Sequence, residues 1–425
     1  MPLKFRWETE FKETEIGEIP KDWEVGKLGS FVDIVRGVSF SKEYASFKQF
    51  NNCIALLRAS NIARDGSLRL EDLMYIPKEI VKEEQFIKEL DIIMVASSGN
   101  KDLVGKFAQI KEIPFTSGLT FGAFNFCIRP QRIGKLFLKF LLSSEIIENQ
   151  LEKAVDGTNI NNLRISDLKN FKILFPPLPE QARIATVLSW FDDLIEVKKK
   201  QNEILEKTAM AIFKSWFIDF EPFKDEEFVY SEELGREIPK GWEVKRVEEM
   251  YVLIKGKKHL LSDVFYEGFN PYLLIETYKT GKIEFWTKEN EPYIQEDDIV
   301  LVADGESSGK VLRYQKGVLG STLLALRAKE ETLISKHLIY LKLKFYEDEI
   351  MSHRTGSAIP HLDKDYLKNF PLLLPPPHVL QSFHSLVEPL FQKIILNQKQ
   401  IMTLRKVRDT LLPLLVFGKL RVEEM

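Results

Sequence analysis

Cysteine is nearly absent: Cys53 and Cys127 are the only two, with no CxxC pair and no metal-ligand spacing. A disulfide framework is therefore excluded, and the pair suits a reducing compartment. Histidine is equally scarce. All six, at 259, 337, 353, 361, 378 and 384, lie in the second half, and none pair as a zinc motif in the sequence. They cannot serve a chemistry common to both halves of the chain. No run of 18 uncharged apolar residues occurs, and the opening MPLKFRWETEFKETE lacks an apolar signal core. A cytoplasmic protein with no membrane segment is expected. Strong charge of one sign is missing too. The net charge is −3, with 60 Lys+Arg against 63 Asp+Glu, which excludes a polybasic nucleic-acid coat.

What is present is a sequence written twice. IPKDWEV at Ile19–Val25 returns as IPKGWEV at Ile238–Val244. LKNF followed by a Pro-Pro pair stands at Leu168–Phe171 and again at Leu367–Phe370. DIIMVA (Asp91–Ala96) answers DIVLVA (Asp298–Ala303), and each runs into a glycine-bearing loop, SSGNKDLVGK or DGESSGK. From Gly157 onward an offset of 199 carries the first copy onto the second without a gap. Such order and spacing mark a tandem duplication.

Each copy divides in two. A mixed segment of short strand-like runs and Gly/Asn loops predicts a compact α/β or α+β head. A helical segment follows. No proline lies between Pro179 and Pro222, and no glycine between Gly157 and Gly235. That silence allows one helix of about 40 residues, ~60 Å long. Its apolar spacing predicts a coiled-coil seam. In the first copy the seam includes Leu188, Phe191, Ile195, Leu205 and Ile212, with Lys198 and Asn202 as polar breaks. In the second it includes Val387, Leu390, Ile394, Leu404 and Leu411, with Asn397 and Arg408 as breaks. Pro389 predicts a kink in the second helix, or its true start.

Two equivalent helices with apolar seams are expected to pair antiparallel about a pseudo-twofold axis. The heads would then be held apart as in a calliper, able to touch DNA half-sites roughly one to two helical turns apart at ~3.4 Å per base pair. The heads differ more from each other than the helices do, which predicts two different targets on one frame.

At this point the sequence resembles the specificity subunits of type I restriction–modification enzymes. The family pattern is an opening IPxxWE motif, a variable target-recognition domain, a PP-bounded exit and a long helix, repeated once. The exits are FPPLPEQ (Phe175–Gln181) and LPPPHVLQ (Leu374–Gln381), the second without Pro-Glu-Gln. The closing LRKVRDTLLPLLVFGKL (Leu404–Leu420) is similar to the family's distal helix end. The resemblance implies an α+β fold: two globular α/β target-recognition domains joined by two long helices in an antiparallel coiled coil, with a pseudo-twofold internal repeat. The expected boundaries are an N-terminal segment 1–18, recognition domain one at 19–178, a central helix at 179–221, recognition domain two at 222–377 and a distal helix at 378–425.

The implied function is non-catalytic reading of a bipartite, asymmetric site in double-stranded DNA, the helical pair serving as spacer and as docking surface for methylation subunits. The implied partners are two methylation subunits and restriction/translocase subunits. S-adenosylmethionine, ATP and Mg are expected on those partners, with no cofactor and no metal in this chain. The residues agree. Phe-Pro-Pro-Leu at 175–178 lacks the Asp or Asn an amine methyltransferase needs, and GESSGK at 305–310 is one residue short of a phosphate loop. The alternative is a stand-alone tandem-repeat DNA-binding regulator. It is disfavoured by heads of net +3 (residues 21–175, 22 Lys/Arg against 19 Asp/Glu) and −1 (residues 240–375, 20 against 21).

Base reading requires Arg, Lys, Asn, Gln, Ser, Thr or His on loops that reach a groove edge. In the first head the candidates are Arg58, Ser60, Asn61 and Arg64, then Ser97, Ser98, Asn100 and Lys101, then Asn159, Asn161 and Asn162. In the second they are Lys255, Lys257, Lys258 and His259, then Thr277 and Lys279, then Ser307, Ser308, Lys310 and His361. Trp23 and Trp242 are expected to be packed anchors.

Overall fold

The computed structural model describes residues 3–63, 66–156, 162–312, 315–329, 336–356 and 359–424. The chain forms two compact units. One comprises residues 1–193 with 404–425, the other residues 194–403.

In the first unit a four-stranded sheet has the order Val32–Arg36, Asn125–Pro130, Ile92–Val95, Phe107–Gln109, all neighbours antiparallel. Residues of a strand point alternately to its two faces, and here both faces are covered. Ile92, Met94 and Ala96 join a core shared with the helix Lys135–Leu142 and with Ile184, Leu188, Leu415 and Leu420. Ile93 and Val95 join a second core with Leu57, Phe121 and Cys127. This double burial explains why the run reads as uninterruptedly apolar. A smaller sheet pairs Cys53–Leu57 with Met74–Pro77 and, in parallel, with Leu119–Phe121.

The second unit repeats this architecture. Its four-stranded sheet has the order Tyr251–Lys255, Leu323–Ala328, Ile299–Val302, Val311–Leu312. Ile299, Leu301 and Ala303 face one core, while Val300 and Val302 face the other. The parallel pair returns as Asn270–Leu273 with Gly317–Leu319.

The repeated landmarks touch each other. Glu24–Lys27, the end of the opening motif, pairs antiparallel with Lys172–Phe175, which precedes the first Pro-Pro exit. Glu243–Arg246 pairs in the same way with Pro371–Leu374. Both motif tryptophans are buried. Trp23 Nε1 donates to Glu180 at 3.0 Å, whereas Trp242 is ringed by Phe217, Phe220 and Phe223 at 5.0–5.7 Å between centroids.

The helical segments are Leu178–Phe217 and Pro377–Val416, 40 residues each. The offset of 199 carries the limits of one onto the other without a shift. Pro389 neither starts nor ends the second helix: it sits on an exposed face of an uninterrupted run. The expectation that Pro389 marks the helix start is thereby corrected, because the missing amide costs one bond on a helix that buried side chains hold on its opposite face.

Within each unit the two helices are antiparallel. In the first, Arg183 donates to the Val422 carbonyl at 2.6 Å and Arg408 to Asp192 at 2.6 Å. In the second, Lys198 donates to Gln400 at 2.5 Å and Asn397 to Asn202 at 2.9 Å. Of the seam residues, Leu188, Ile195, Val387 and Ile394 are buried, while Phe191, Leu205, Ile212, Leu390, Leu404 and Leu411 are half-buried. The N-terminal strand Leu3–Trp7 pairs antiparallel with Leu420–Glu424, so the first unit joins the two ends of the chain.

Candidate nucleic-acid interface

Each head gathers three segments at one edge of its central sheet. The first follows strand Val32–Arg36 or its counterpart Tyr251–Lys255. Here Gly37 and Gly256 are required by a close approach: an added Cβ would lie 2.1 Å from the Gly122 oxygen and 2.0 Å from the Gly320 oxygen. The second segment leaves the buried central strand. The amides of Ala96 and Ser97 both donate to the Phe124 carbonyl, at 2.8 and 3.1 Å, and those of Ala303 and Asp304 both donate to the Thr322 carbonyl, at 2.8 and 3.3 Å. The third segment is tied to the second by an isolated bridge, Ser97 with Asn162 in one head and Asp304 with His361 in the other. Leu163 and Leu362 each add an amide bond, to Ala96 and Ala303, at 2.8 Å.

The backbone is therefore repeated while the side chains on it are not. The first head presents the neutral pair Ser97 and Asn162. The second presents a charged cluster: Lys255 Nζ lies 2.6 Å from Asp304, and His361 Nδ1 lies 2.8 Å from the other oxygen of the same carboxylate. Burial opposes ionisation of Asp304, but hydrogen bonds from Lys255 and His361 outweigh it and hold the carboxyl below its usual range.

The remaining candidates separate by exposure. Ser60, Asn100, Lys101, Lys257, Lys258 and Lys310 are exposed, and Ser98, His259 and Ser307 are half-buried. Asn100 accepts from the Asp102 amide at 3.0 Å, and Ser98 accepts from the Asn100 amide at 3.2 Å, so both shape their own loop. Arg58 is half-buried, donating to the Asp72 carbonyl at 2.7 Å with its guanidinium over the Phe47 ring.

Three candidates are buried. Asn61 bonds the Arg58 amide and the Arg69 carbonyl. Thr277 accepts from the Leu274 amide at 3.1 Å, capping a short helix. Ser308 is fully enclosed, its hydroxyl without a hydrogen-bond partner among the described residues. Asn61 and Thr277 satisfy backbone groups, a role that loop composition alone does not separate from a groove contact. Arg64, Asn159 and Asn161 lie outside the described residues, as does the side chain of Lys279.

Sequence reasoning did not single out Arg36, Asp304 or a set of exposed aromatic and aliphatic side chains. Arg36 is exposed and stands where Lys255 stands in the other head. An offset of 219 from the opening motifs would have found it. Tyr44, Phe47 and Phe124 in the first head, and Leu260, Phe265 and Tyr266 in the second, are exposed; the Phe124 carbonyl accepts from the Ala96 and Ser97 amides, and Phe47 lies under the Arg58 guanidinium.

Fold and loops together define a duplicated recognition scaffold: two equivalent modules, each with its own polar rim on a common frame. The comparisons give that scaffold a family. The model described as "Type I restriction modification DNA specificity domain" matches residues 20–207 and again 239–406. The chain is 37% identical to the type I restriction enzyme MjaIX specificity subunit of Methanocaldococcus jannaschii, covering 100% of this chain and 99% of that protein. It is 27% identical to the putative MjaX specificity subunit of the same organism, over 99% of each. The crystal structure of the type I restriction–modification S subunit from M. genitalium shares the fold, with TM-score 0.52 at 19% identity, over 95% of this chain and 96% of that one. The chain belongs to the type I restriction–modification DNA specificity family. Among the described residues, no helix is long and apolar enough to cross a membrane.

Proposed function

We propose that this chain is the sequence-reading subunit of a type I restriction–modification complex. It recognises a bipartite, asymmetric DNA site and leaves chemistry to its partners. The observation that carries the reading is the pair of equivalent bridges with unlike side chains, Ser97–Asn162 and Asp304–His361. One frame carrying two different surfaces suits two different half-sites. Asn can bond adenine edges, and a carboxylate can accept from the cytosine amine.

The near-neutral heads favour a shared interface in which methylation subunits supply much of the phosphate contact. Two such subunits, one for each repeat of the chain, fit the duplication, and restriction subunits join the same assembly. S-adenosylmethionine, ATP and Mg belong to those partners. The pair of 40-residue helices serves as spacer and as docking surface for the methylation subunits. Family membership supports this reading over a stand-alone regulator.

The test is reconstitution with the methylation partner and S-adenosylmethionine, followed by methylation mapping. Adenine methylation confined to one bipartite motif is expected. Methylation without sequence preference, or tight specific DNA binding by the chain alone, would overturn the proposal.

A further inference from the structure

The second unit holds a constellation that its counterpart lacks. His337 is the second residue of helix Lys336–Phe345, while His384 and Glu388 lie one turn apart on Pro377–Val416. One ligating atom from each can be chosen so that all three lie within 4.8 Å of one another. His384 Nε2 is 3.6 Å from Glu388 Oε2, and His337 Nε2 contacts that same oxygen. The two imidazoles are stacked, 16° apart in plane and 5.5 Å between centroids.

The surroundings hold these side chains in place. The His337 ring lies flat on Phe391, at 4.4 Å and 9°. Gln392 donates to Glu388 Oε1 at 2.9 Å, turning the other oxygen toward the histidines. His337 is buried, whereas the Glu388 and His384 side chains are 25% and 44% exposed, so one side of the cluster opens to solvent.

Two imidazole nitrogens and one carboxylate oxygen form a donor set suited to Zn²⁺, which binds such atoms at about 2.0–2.2 Å. Tetrahedral coordination at that range places ligand atoms roughly 3.3–3.5 Å apart, close to the His384–Glu388 separation. An ion entering between His337 and Glu388 would replace their direct contact, and the fourth position would face the open side. The first unit offers no such set. Helix Lys135–Leu142 places Leu136 where His337 stands, and the offset of 199 places Ala185 and Ser189 opposite His384 and Glu388.

We propose that His337, His384 and Glu388 bind one Zn²⁺ ion that fastens the second recognition domain to its helix. The ion is structural, with an open position for water or for a side chain of another subunit. Its ligands come from segments 47 residues apart in sequence, which is why no linear motif announces it.

The test uses the full chain without a histidine tag, stripped with chelator and then titrated with Zn²⁺ by calorimetry, with metal content measured after dialysis. One ion per chain is expected, together with a rise in Tm and, for Co²⁺ in its place, the visible absorption of tetrahedral cobalt. His384→Ala and Glu388→Gln change partly exposed groups, so circular dichroism should show them folded. Each should weaken binding at least ~100-fold, beyond the effect of losing a supporting contact. His378→Ala, at an exposed position on the same helix, should bind as the parent does. A parent chain that retains no Zn²⁺, or His384→Ala and Glu388→Gln variants that bind as tightly as the parent, would overturn the site.

Discussion

Lys198 and Gln400 meet across the helical pair, the ammonium donating to the amide oxygen at 2.5 Å. Adding 199 to Lys198 gives Asn397, and subtracting it from Gln400 gives Gln201. These two residues also meet, Asn397 donating to Gln201 at 3.3 Å. The contact and its repeat are one interaction written twice, as an isologous interface between duplicated segments requires. Asn397 is fully buried and donates as well to Asn202, while its own oxygen has no partner.

That polar layer sets register at the expense of stability. Replacing Asn202 and Asn397 together by Leu should raise stability by about 1–3 kcal/mol, because an unpaired buried oxygen disappears. Thermal unfolding would show a higher Tm. Cysteine pairs placed to crosslink in the native register should at the same time crosslink less uniformly.

Arg421 closes the first unit. Its guanidinium bonds Glu180 at 2.5 and 2.7 Å, Asp22 at 2.8 Å, and Glu8. Arg421→Met would leave the buried Glu180 carboxylate without its cation and leave Glu8 with Arg6 alone, at 3.6 Å, at a cost of about 3–5 kcal/mol. Denaturant unfolding should show that loss for the first unit, with the second little changed.

Glu8 makes the same region acid-sensitive. Burial disfavours its charge, yet amide donors from Glu10 and Thr9, together with Arg421, hold the carboxyl at about 2, against an ordinary 4.5. A depressed carboxylate contributes stability above its unfolded pKa and loses it as pH falls toward the folded value. Stability should therefore decline between pH 4.5 and pH 2. Glu8→Gln should flatten that part of the profile, measured by urea midpoints at successive pH values.

The two rims should be separable. His361→Ala or Asp304→Asn is expected to relax one half-site by about 1–3 kcal/mol per affected base, roughly 10–100-fold. Asn162→Ala should relax only the other. Methylation mapping of the reconstituted complex gives both answers in one experiment. Altered preference at both half-sites from either variant would contradict independent readers.

Much of this architecture could be read directly from the residues. Apolar spacing and, in the first copy, a run free of glycine and proline predict a long helix, and a gap-free offset of 199 predicts an equal one in the second copy. Leu178–Phe217 and Pro377–Val416 obey both. These properties are local or repetitive, so they survive in a linear string. Even Pro389 misleads only about continuity, because a single missing amide is outweighed by the buried face opposite it.

The sites were decided by tertiary structure. Nothing in the composition of a polar loop distinguishes Asn61, spent on two backbone partners, from Ser60 beside it in the open. The sequence likewise does not bring Asp304 to His361, or His337 to His384 and Glu388. Those meetings depend on how distant strands and helices pack. Packing is a property of the whole folded chain, and no short window of residues contains it.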